Sequence, residues 1–304
     1  MKEYIEKFQK KIKGNKNVRK KRTNSKDSGD SLFRHLFPRQ ESGQSRDSYM
    51  RQNLMLSVKY GALALAALAV IRGGYTVVSQ NVAVSSSVNG RELPIYCVET
   101  DEKKIALSFD AAWGNEDTSK ILEILAKQDV KVTFFMTGGW VESYPDDVKA
   151  ILAAGHDLGN HSENHKNMSQ LSDAEKKEEL MKVHEKVREL TGYEMFLFRP
   201  PYGDYDNAVV NVAKDCGYYT IQWDVDSLDW KDYGVDSIIK TVTEHKHLGN
   251  GSIILCHNGA KYTAQALDML IAKLKNEGYT FVPISELIYK DKYHMDHEGR
   301  QVKN

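Results

Sequence analysis

From about residue 100 to residue 290, short apolar runs alternate with amphipathic segments of helical periodicity. The runs with strand character are IALSFDA (105–111), VTFFMTG (132–138), DLGNH (157–161), MFLFRPP (195–201), YYTIQWDV (218–225), SIILCHN (252–258) and TFVPIS (280–285). Helices are predicted between them near residues 117–128, 145–154, 173–190, 205–215, 235–246 and 262–276. This alternation predicts an α/β domain with a parallel sheet, either doubly wound or closed into a barrel. No GxGxxG or GKS/T motif follows the first strand, so nucleotide binding lacks support, and we expect no nucleic-acid partner.

The N-terminal region differs from this domain in composition and charge. Residues 1–53 carry an excess of Lys and Arg and few apolar residues, which predicts a disordered basic tail. The segment LMLSVKYGALALAALAVI (Leu54–Ile71) has the length needed to cross the hydrocarbon core of a membrane. Because the basic residues precede it, the positive-inside rule predicts a single-pass signal-anchor over residues 54–78. The tail would then be cytoplasmic, and the rest of the chain would lie outside the cell.

Two alternatives to the anchor stay open. Ala83-Val84-Ser85 offers a signal-peptide cleavage site, although the basic leader before it is far longer than a signal peptide requires. The second alternative is a buried core helix. We divide the remaining chain into an extracellular linker (79–99), a catalytic domain (100–290) and a C-terminal tail (291–304).

Polar side chains follow the ends of several predicted strands: Asp110, His161, Arg199, Asp226, Asp229 and His257. In a parallel α/β architecture, functional groups gather at the carboxyl ends of the strands. Each feature alone has an ordinary explanation, because a His pair spaced by four residues arises by chance and a carboxylate after a strand often caps a helix. Their combination predicts a functional site.

Five motifs at these positions occur in a fixed order: SFDAAWG (108–114), HSENH (161–165), RPPYG (199–203), DSLDW (226–230) and LCH (255–257). With this set the sequence resembles the NodB-type polysaccharide deacetylases, carbohydrate esterase family four, over roughly residues 103–290. The first motif resembles the variant found in sporulation-associated branches of that family. The resemblance implies a distorted (β/α) barrel, a divalent metal and N-deacetylation of chitin-like or peptidoglycan sugars, so the partner would be a cell-wall polysaccharide.

The resemblance also implies catalytic roles for individual residues. Asp110 would be the general base, with Arg199 orienting it and keeping it ionised. His257 would be the general acid for the leaving amine, held charged and oriented by Asp229. Asp226 is a weaker candidate to support Arg199.

Further roles concern the substrate and the metal. In RPPYG, Pro201 would fix the turn that presents the Tyr202 backbone N–H to the developing oxyanion. Trp230 and Leu255 would wall the acetyl pocket, with ordinary core packing as the alternative for both. The metal ligands would be His161 and His165.

Ala111 departs from the family pattern, in which the base is followed directly by a second aspartate that binds the metal. A methyl group cannot coordinate a cation, so only two histidine ligands remain, and we expect a weakened site, with zinc as the expected ion. The candidates for a replacement third ligand are Asp110, Glu116, Asp117 and Glu163.

Three functional hypotheses follow. The first is metal-assisted N-deacetylation of N-acetylhexosamine in cell-wall polysaccharide, with peptidoglycan as the expected substrate. The second is a catalytically impaired saccharide-binding or scaffolding protein that lost a metal ligand at Ala111. The third, a glycosidase with paired carboxylates such as Asp110 and Asp229, leaves the His pair and RPPYG without a role.

Overall fold

The computed structural model describes residues 87–304. Three short strands come first in this part of the chain: β1 (Ser87–Val88), β2 (Arg91–Glu92) and β3 (Cys97–Val98). The strands of the main sheet are β4 (Lys104–Ala111), β5 (Thr133–Met136), β6 (Asp157–Asn160), β7 (Leu197–Phe198), β8 (Tyr219–Thr220), β9 (Val225–Asp226), β10 (Ile253–His257) and β11 (Thr280–Phe281). Two more strands, β12 (Tyr293–Met295) and β13 (Arg300–Lys303), end the chain.

The main sheet is parallel throughout and curls into a half-barrel. Its neighbours run β8-β7-β6-β5-β4-β10-β9, and β11 also pairs with β4. With helices between the strands, this architecture confirms the barrel alternative over the doubly wound sheet. The C-terminal ends of β4 and β10 lie side by side, since Asp110 and His257 are register partners.

The single strand predicted over residues 218–225 is wrong. The structure has two short strands there, β8 and β9, which follow each other in the chain but lie at opposite edges of the sheet. Between them, the backbone N–H of Gln222 donates to the carbonyl of Ile95, and Ile95 donates to the carbonyl of Thr220. Ile95, which lies outside the main sheet, pairs with this segment in place of a neighbouring strand. The chain therefore leaves the sheet at the edge formed by β8 and crosses the barrel opening to the edge formed by β9.

Helices follow the strands close to the predicted intervals: α1 (Thr118–Lys127), α2 (Gly138–Ser143), α3 (Pro145–Ala153), α4 (Asp173–Thr191), α5 (Asn207–Asp215), α6 (Val235–Thr243), α7 (Thr263–Asn276) and α8 (Ile284–Leu287). Helix α4 begins with the capping box of Ser172 and Glu175. Helix α2 shortens the strand predicted over 132–138, because the Thr137 side chain accepts a hydrogen bond from Trp140 N and starts a helix there.

No helix within residues 87–304 is long and apolar enough to cross a membrane. The predicted tail (1–53) and signal-anchor (54–78) lie outside the described residues, as does the first part of the predicted linker.

Strand β4 shows how the fold separates core from site. It is buried along nearly its whole length, as a strand covered on both faces must be. Ile105, Leu107 and Phe109 belong to a large apolar cluster that includes residues of the flanking helices. The alternate side chains of Ser108 and Asp110 instead meet Arg199 by hydrogen bonds. The period of two along one strand thus places a carboxylate inside the barrel.

The C-terminal segment 291–304, predicted as a tail, is part of the fold. Strands β12 and β13 form an antiparallel pair, and β13 runs parallel to β3. Tyr293 and Met295 are buried in the same apolar cluster as Ala106. Ala106 lies near the start of β4, so this small sheet packs at the end of the barrel away from Asp110.

Candidate active site

Asp110 and Arg199 form a buried ion pair at the end of β4. The guanidinium donates from Nη1 to Asp110 Oδ1 over 2.8 Å and to the Ser108 hydroxyl over 2.9 Å. Its plane is further fixed by Phe135, whose ring centroid lies 4.2 Å from the guanidinium carbon. Burial alone would raise the pKa of Asp110, but the charge of Arg199, with smaller effects of the nearby histidines, holds that pKa below its usual value. Asp110 is therefore an ionised carboxylate.

Asp226, proposed from the sequence as a support for Arg199, does not bond to it. Its Oδ1 accepts the backbone N–H of Leu228 at 2.8 Å. The remaining polar contact of the guanidinium is from Nη2 to the carbonyl of Gln222, at 3.1 Å. Asp226 still lines the cavity described below.

His161 and His165 lie next to each other, with ring centroids 4.9 Å apart. Nδ1 of His161 donates to the carbonyl of Arg199 over 2.8 Å, which leaves Nε2 with a free lone pair. That atom lies 3.5 Å from Asp110 Oδ2. Burial lowers the pKa of His161 to about 4 and also lowers the pKa of His165, so both rings are neutral near pH 7.

The pKa of His257 is shifted in the opposite direction to the pKa values of His161 and His165. Its Nδ1 and its backbone N–H both donate to the carboxylate of Asp229, each over 2.7 Å. The Thr263 hydroxyl donates to the same carboxylate at 2.6 Å. Burial by itself would lower the pKa of His257, but the hydrogen bond to Asp229 and the charge of that carboxylate raise it above the usual value.

One cavity of about 480 Å³ joins these groups. Its walls are Asp110, Ala112, Trp113, His161, His165, Tyr202, Trp223, Asp226, Trp230, Leu255 and His257. Pro201 is buried behind it and opens a short 3₁₀ turn in which Tyr202 has a left-handed backbone with φ 60°. A tyrosine in this region of φ is strained, and such strain is found where a site demands a special backbone geometry.

The structure brings together almost every residue predicted from the sequence, but no third metal ligand. Glu163 pairs with Lys186 at 2.5 Å, and neither Glu116 nor Asp117 lines the cavity. Among residues 87–304, no group of three or more His, Cys, Asp or Glu side chains is placed to hold a metal ion. The two neutral imidazoles are suitable ligands, yet the set does not fit the three-ligand centre of a catalytic zinc site. Of the four candidate replacements, Asp110 alone reaches the histidine pair, and it is engaged by Arg199.

Sequence reasoning missed several residues of the site. Ser108 and Trp113 lie within the first motif, but the motif does not indicate that Ser108 bonds to Arg199 or that Trp113 lines the cavity. Thr263 starts helix α7, and Trp223 lies between β8 and β9; neither belongs to a motif. Contacts between residues so far apart in the chain leave no spacing pattern that would reveal them.

At the strand ends of a parallel half-barrel lie an Asp–Arg ion pair, a hydrogen-bonded His–Asp pair and two adjacent histidines. Such a set of groups is suited to acid–base hydrolysis of an amide or ester. Comparison with known proteins is consistent with this class. The family model for polysaccharide deacetylases matches residues 98–221. The peptidoglycan-N-acetylmuramic acid deacetylase PdaA of Bacillus subtilis is 36% identical over 203 residues, which is 64% of this chain and 75% of that protein. The chain therefore belongs to the NodB-type polysaccharide deacetylases of carbohydrate esterase family four.

Other relatives differ in what is known of them. The uncharacterized protein YlxY of Bacillus subtilis is 37% identical over 195 residues, and the match spans 64% of this chain but 60% of YlxY. The crystal structure of BA3943 from Bacillus anthracis, described as a pseudoenzyme of carbohydrate esterase family four, has a TM-score of 0.62 at 37% identity, covering 69% of this chain and 73% of that one. A mutant of BA3943 with restored enzymatic activity has the same TM-score at 39% identity, covering 65% and 72%.

Proposed function

We propose that this protein removes acetyl groups from N-acetylhexosamine units of cell-wall polysaccharide, with peptidoglycan as the substrate. One observation carries the proposal. Asp110 and His257 are register partners on neighbouring strands, and their surroundings shift their pKa values in opposite directions. When the surroundings of two neighbouring titratable groups shift their pKa values in opposite directions, one group is suited to act as a base and the other as an acid.

The residues of the cavity have matching roles in the hydrolysis of an amide. Asp110, kept ionised by Arg199, takes a proton from the attacking water. His257, whose protonated form is favoured by its hydrogen bond to Asp229, gives a proton to the leaving amine. The backbone N–H of Tyr202 donates to the oxyanion of the tetrahedral intermediate, a contribution of about 3 kcal/mol for one such donor. Leu255 and Trp230 enclose the acetyl methyl.

The expected metal site has two histidine ligands among the described residues. Members of the family use a divalent metal, which polarises the amide carbonyl when bound, and His161 and His165 would hold it here. Because the described residues supply no third ligand, we assign no step of the reaction to the metal. We propose that a divalent ion, expected to be zinc, binds to the two histidines with lower affinity than a three-ligand site provides.

Acetate release from peptidoglycan fragments and chitooligosaccharides tests the proposal. The full-length protein should release acetate, and both Asp110→Asn and His257→Gln should lower the rate by at least about a hundredfold. Met269→Ala, which alters an exposed side chain outside the cavity, is the matched control and should leave the rate unchanged. Absence of acetate in every condition, or equal rates for the protein and Asp110→Asn, would contradict the proposal.

A second function is favoured by Ala111 and by the likeness to BA3943. On this alternative the chain binds wall saccharide in the same cavity without hydrolysing it, or acts as a scaffold. Isothermal titration with chitopentaose distinguishes the two functions. Saccharide binding that is unchanged in His161→Ala, together with no acetate release, supports the binding protein. Acetate release lost in Asp110→Asn supports the enzyme.

We also propose that residues 54–78 anchor the protein in the cell membrane with its catalytic domain outside. The basic residues before the apolar segment and a substrate in the cell wall are the grounds. Protease added to intact cells should remove the catalytic domain and spare an N-terminal fragment. The reverse pattern of protection would overturn this topology.

A further inference from the structure

Gln222 lies in the segment that crosses the barrel opening between β8 and β9, and it belongs to none of the five motifs. Its side chain is buried and has no part in the proposed chemistry. The amide nitrogen Nε2 donates to the carbonyl of Gly203 over 3.0 Å. Gly203 ends the RPPYG motif, so this hydrogen bond ties the crossing segment to the backbone beside Tyr202, whose N–H is the proposed donor to the oxyanion.

The turn that contains Tyr202 has a backbone geometry that its surroundings must hold. Tyr202 has φ 60° and Gly203 has φ 65°, so two consecutive residues are left-handed. Within the turn, the N–H groups of Gly203 and Asp204 donate to the carbonyls of Pro200 and Pro201, over 3.1 and 3.0 Å. A tyrosine in this region is strained and persists there only when neighbouring contacts fix it. The bond from Gln222 is such a contact.

The backbone of Gln222 is itself fixed on both sides. Its N–H donates to the carbonyl of Ile95 over 2.7 Å, and its carbonyl accepts from Arg199 Nη2 over 3.1 Å. Further along the crossing segment, the N–H of Asp224 donates to the carbonyl of Ile253 over 3.2 Å, and the N–H of Ile253 donates to Asp224 Oδ1 over 2.8 Å. A side chain on a backbone held in this way can position the group to which it bonds.

The turn packs directly on the crossing segment. A Cβ on Gly203 would lie 3.2 Å from the indole of Trp223 and 3.3 Å from Gln222 Oε1, so glycine leaves the space that this contact needs. A carbonyl accepts hydrogen bonds and cannot donate them, so Nε2 of Gln222 is the amide atom that faces Gly203. A side chain of the same length without an amide nitrogen would fill the space but could not make the bond.

We propose that Gln222 is a positioning residue, whose side-chain amide holds the RPPYG turn in the geometry from which the Tyr202 N–H donates to the oxyanion. The inference rests on the proposed deacetylation, because that reaction gives the N–H its role. Gln222 acts through the turn and does not contact the substrate. Because the oxyanion forms only during the reaction, loss of the amide should lower kcat and leave KM unchanged.

Gln222→Met in the full-length protein tests this, because methionine keeps the length of the side chain and removes the donor. Hydrogen–deuterium exchange measured by mass spectrometry should become about two- to tenfold faster over residues 199–205, the scale of one lost hydrogen bond. In acetate release from chitopentaose, kcat should fall by about ten- to a hundredfold at unchanged KM, as a small misplacement of a reacting group can cause. Gln222→Glu is a second variant, whose ionised carboxylate cannot donate to Gly203, and it should change both measurements in the same direction.

Gln301→Met is the matched control. Gln301 is also buried, and its Nε2 likewise donates to a backbone carbonyl, that of Tyr289, over 2.6 Å. Gln301 lies on β13 and does not line the cavity. This variant should be less stable to urea than the native protein but should show native exchange over residues 199–205 and native kcat. If Gln222 only stabilised the fold, the variants at positions 222 and 301 would behave alike.

The outcomes separate this inference from the proposed reaction. Native exchange over residues 199–205 in both Gln222 variants overturns the inference even if acetate is released, and so does a native kcat. Equally fast exchange there in Gln301→Met, or failure of both Gln222 variants to fold by circular dichroism, also overturns it. Faster exchange confined to this turn in the Gln222 variants supports the positioning role. It does so even in a protein that releases no acetate, where the proposed reaction alone would fail.

Discussion

Replacing Asp229 with asparagine tests the general acid directly. The carboxylate is fully buried and accepts three hydrogen bonds, two from His257 and one from Thr263. Asparagine keeps the shape of the side chain but removes the negative charge, so nothing then offsets the burial that disfavours a charged imidazole. The pKa of His257, raised in the native protein, should fall below the usual histidine value in Asp229→Asn.

The size of the change follows from the interaction that is lost. A hydrogen bond to a charged group contributes about 1.5–3 kcal/mol. At about 1.36 kcal/mol for each pKa unit, the pKa of His257 should fall by about one to two units. The general acid must be protonated, so activity is lost as pH rises through this pKa. The alkaline limb of the pH–rate profile should therefore move to lower pH by the same one to two units.

Two measurements check this prediction. Nuclear magnetic resonance titration of the His257 ring follows the pKa even in a variant with no activity, and acetate release against pH follows the alkaline limb. Asp226→Asn is the matched control, since Asp226 lines the same cavity but makes no hydrogen bond to His257 and has only a small effect on its pKa. A His257 pKa in Asp229→Asn that equals or exceeds the native value would refute the assignment of Asp229.

Three further predictions concern stability and metal binding. Arg199→Leu leaves Asp110 buried without its partner, so the free energy of unfolding in urea should fall by about 3–5 kcal/mol, and adding Asp110→Asn should recover part of the loss. Ala111→Asp supplies a carboxylate where the family has its metal ligand, so zinc affinity measured by calorimetry should rise. The rise should be at least about tenfold, because even residues that only support a metal ligand change affinity on that scale. An unchanged zinc affinity would contradict the placement of a ligand at position 111. Burial lowers the pKa of His156 from 6.5 to about 4, so the unfolded chain binds a proton between these pH values that the folded chain does not. The free energy of unfolding should therefore fall by about 3 kcal/mol as pH drops through this window, and His156→Gln should flatten that dependence.

Much of the site follows from the sequence because parallel strands align their carboxyl ends. Once Asp110 and His257 were placed at the ends of two such strands, their proximity required only that the strands be neighbours. The hydrogen bond from His257 to Asp229 could also be predicted, because both residues belong to the motifs that carry the family resemblance. What the sequence could not indicate was the hydrogen bonding behind these pairs, such as that of Ser108 and Thr263, because it depends on how distant segments pack.

The errors in the predicted fold have a common cause. Over 218–225 the local pattern indicates one strand, but the chain must cross the barrel opening, and a segment near Ile95 takes its hydrogen bonds. In the same way, residues 291–304 carry little apolar periodicity, yet they pair with Cys97–Val98. Local propensity does not indicate pairing with a partner more than a hundred residues away in the chain, so tertiary contacts determine the structure of both segments.

The arrangement of hydrogen bonds bears on the choice between an enzyme and a binding protein. The Asp110 carboxylate is fixed by Arg199, and the guanidinium is fixed by Ser108 and the carbonyl of Gln222. The His257 ring is fixed by Asp229. None of these bonds depends on a metal, so a missing third ligand leaves the acid–base groups and the cavity walls in place. An intact acid–base pair and intact cavity walls are therefore expected with or without a bound metal, so saccharide binding and acetate release have to be measured separately.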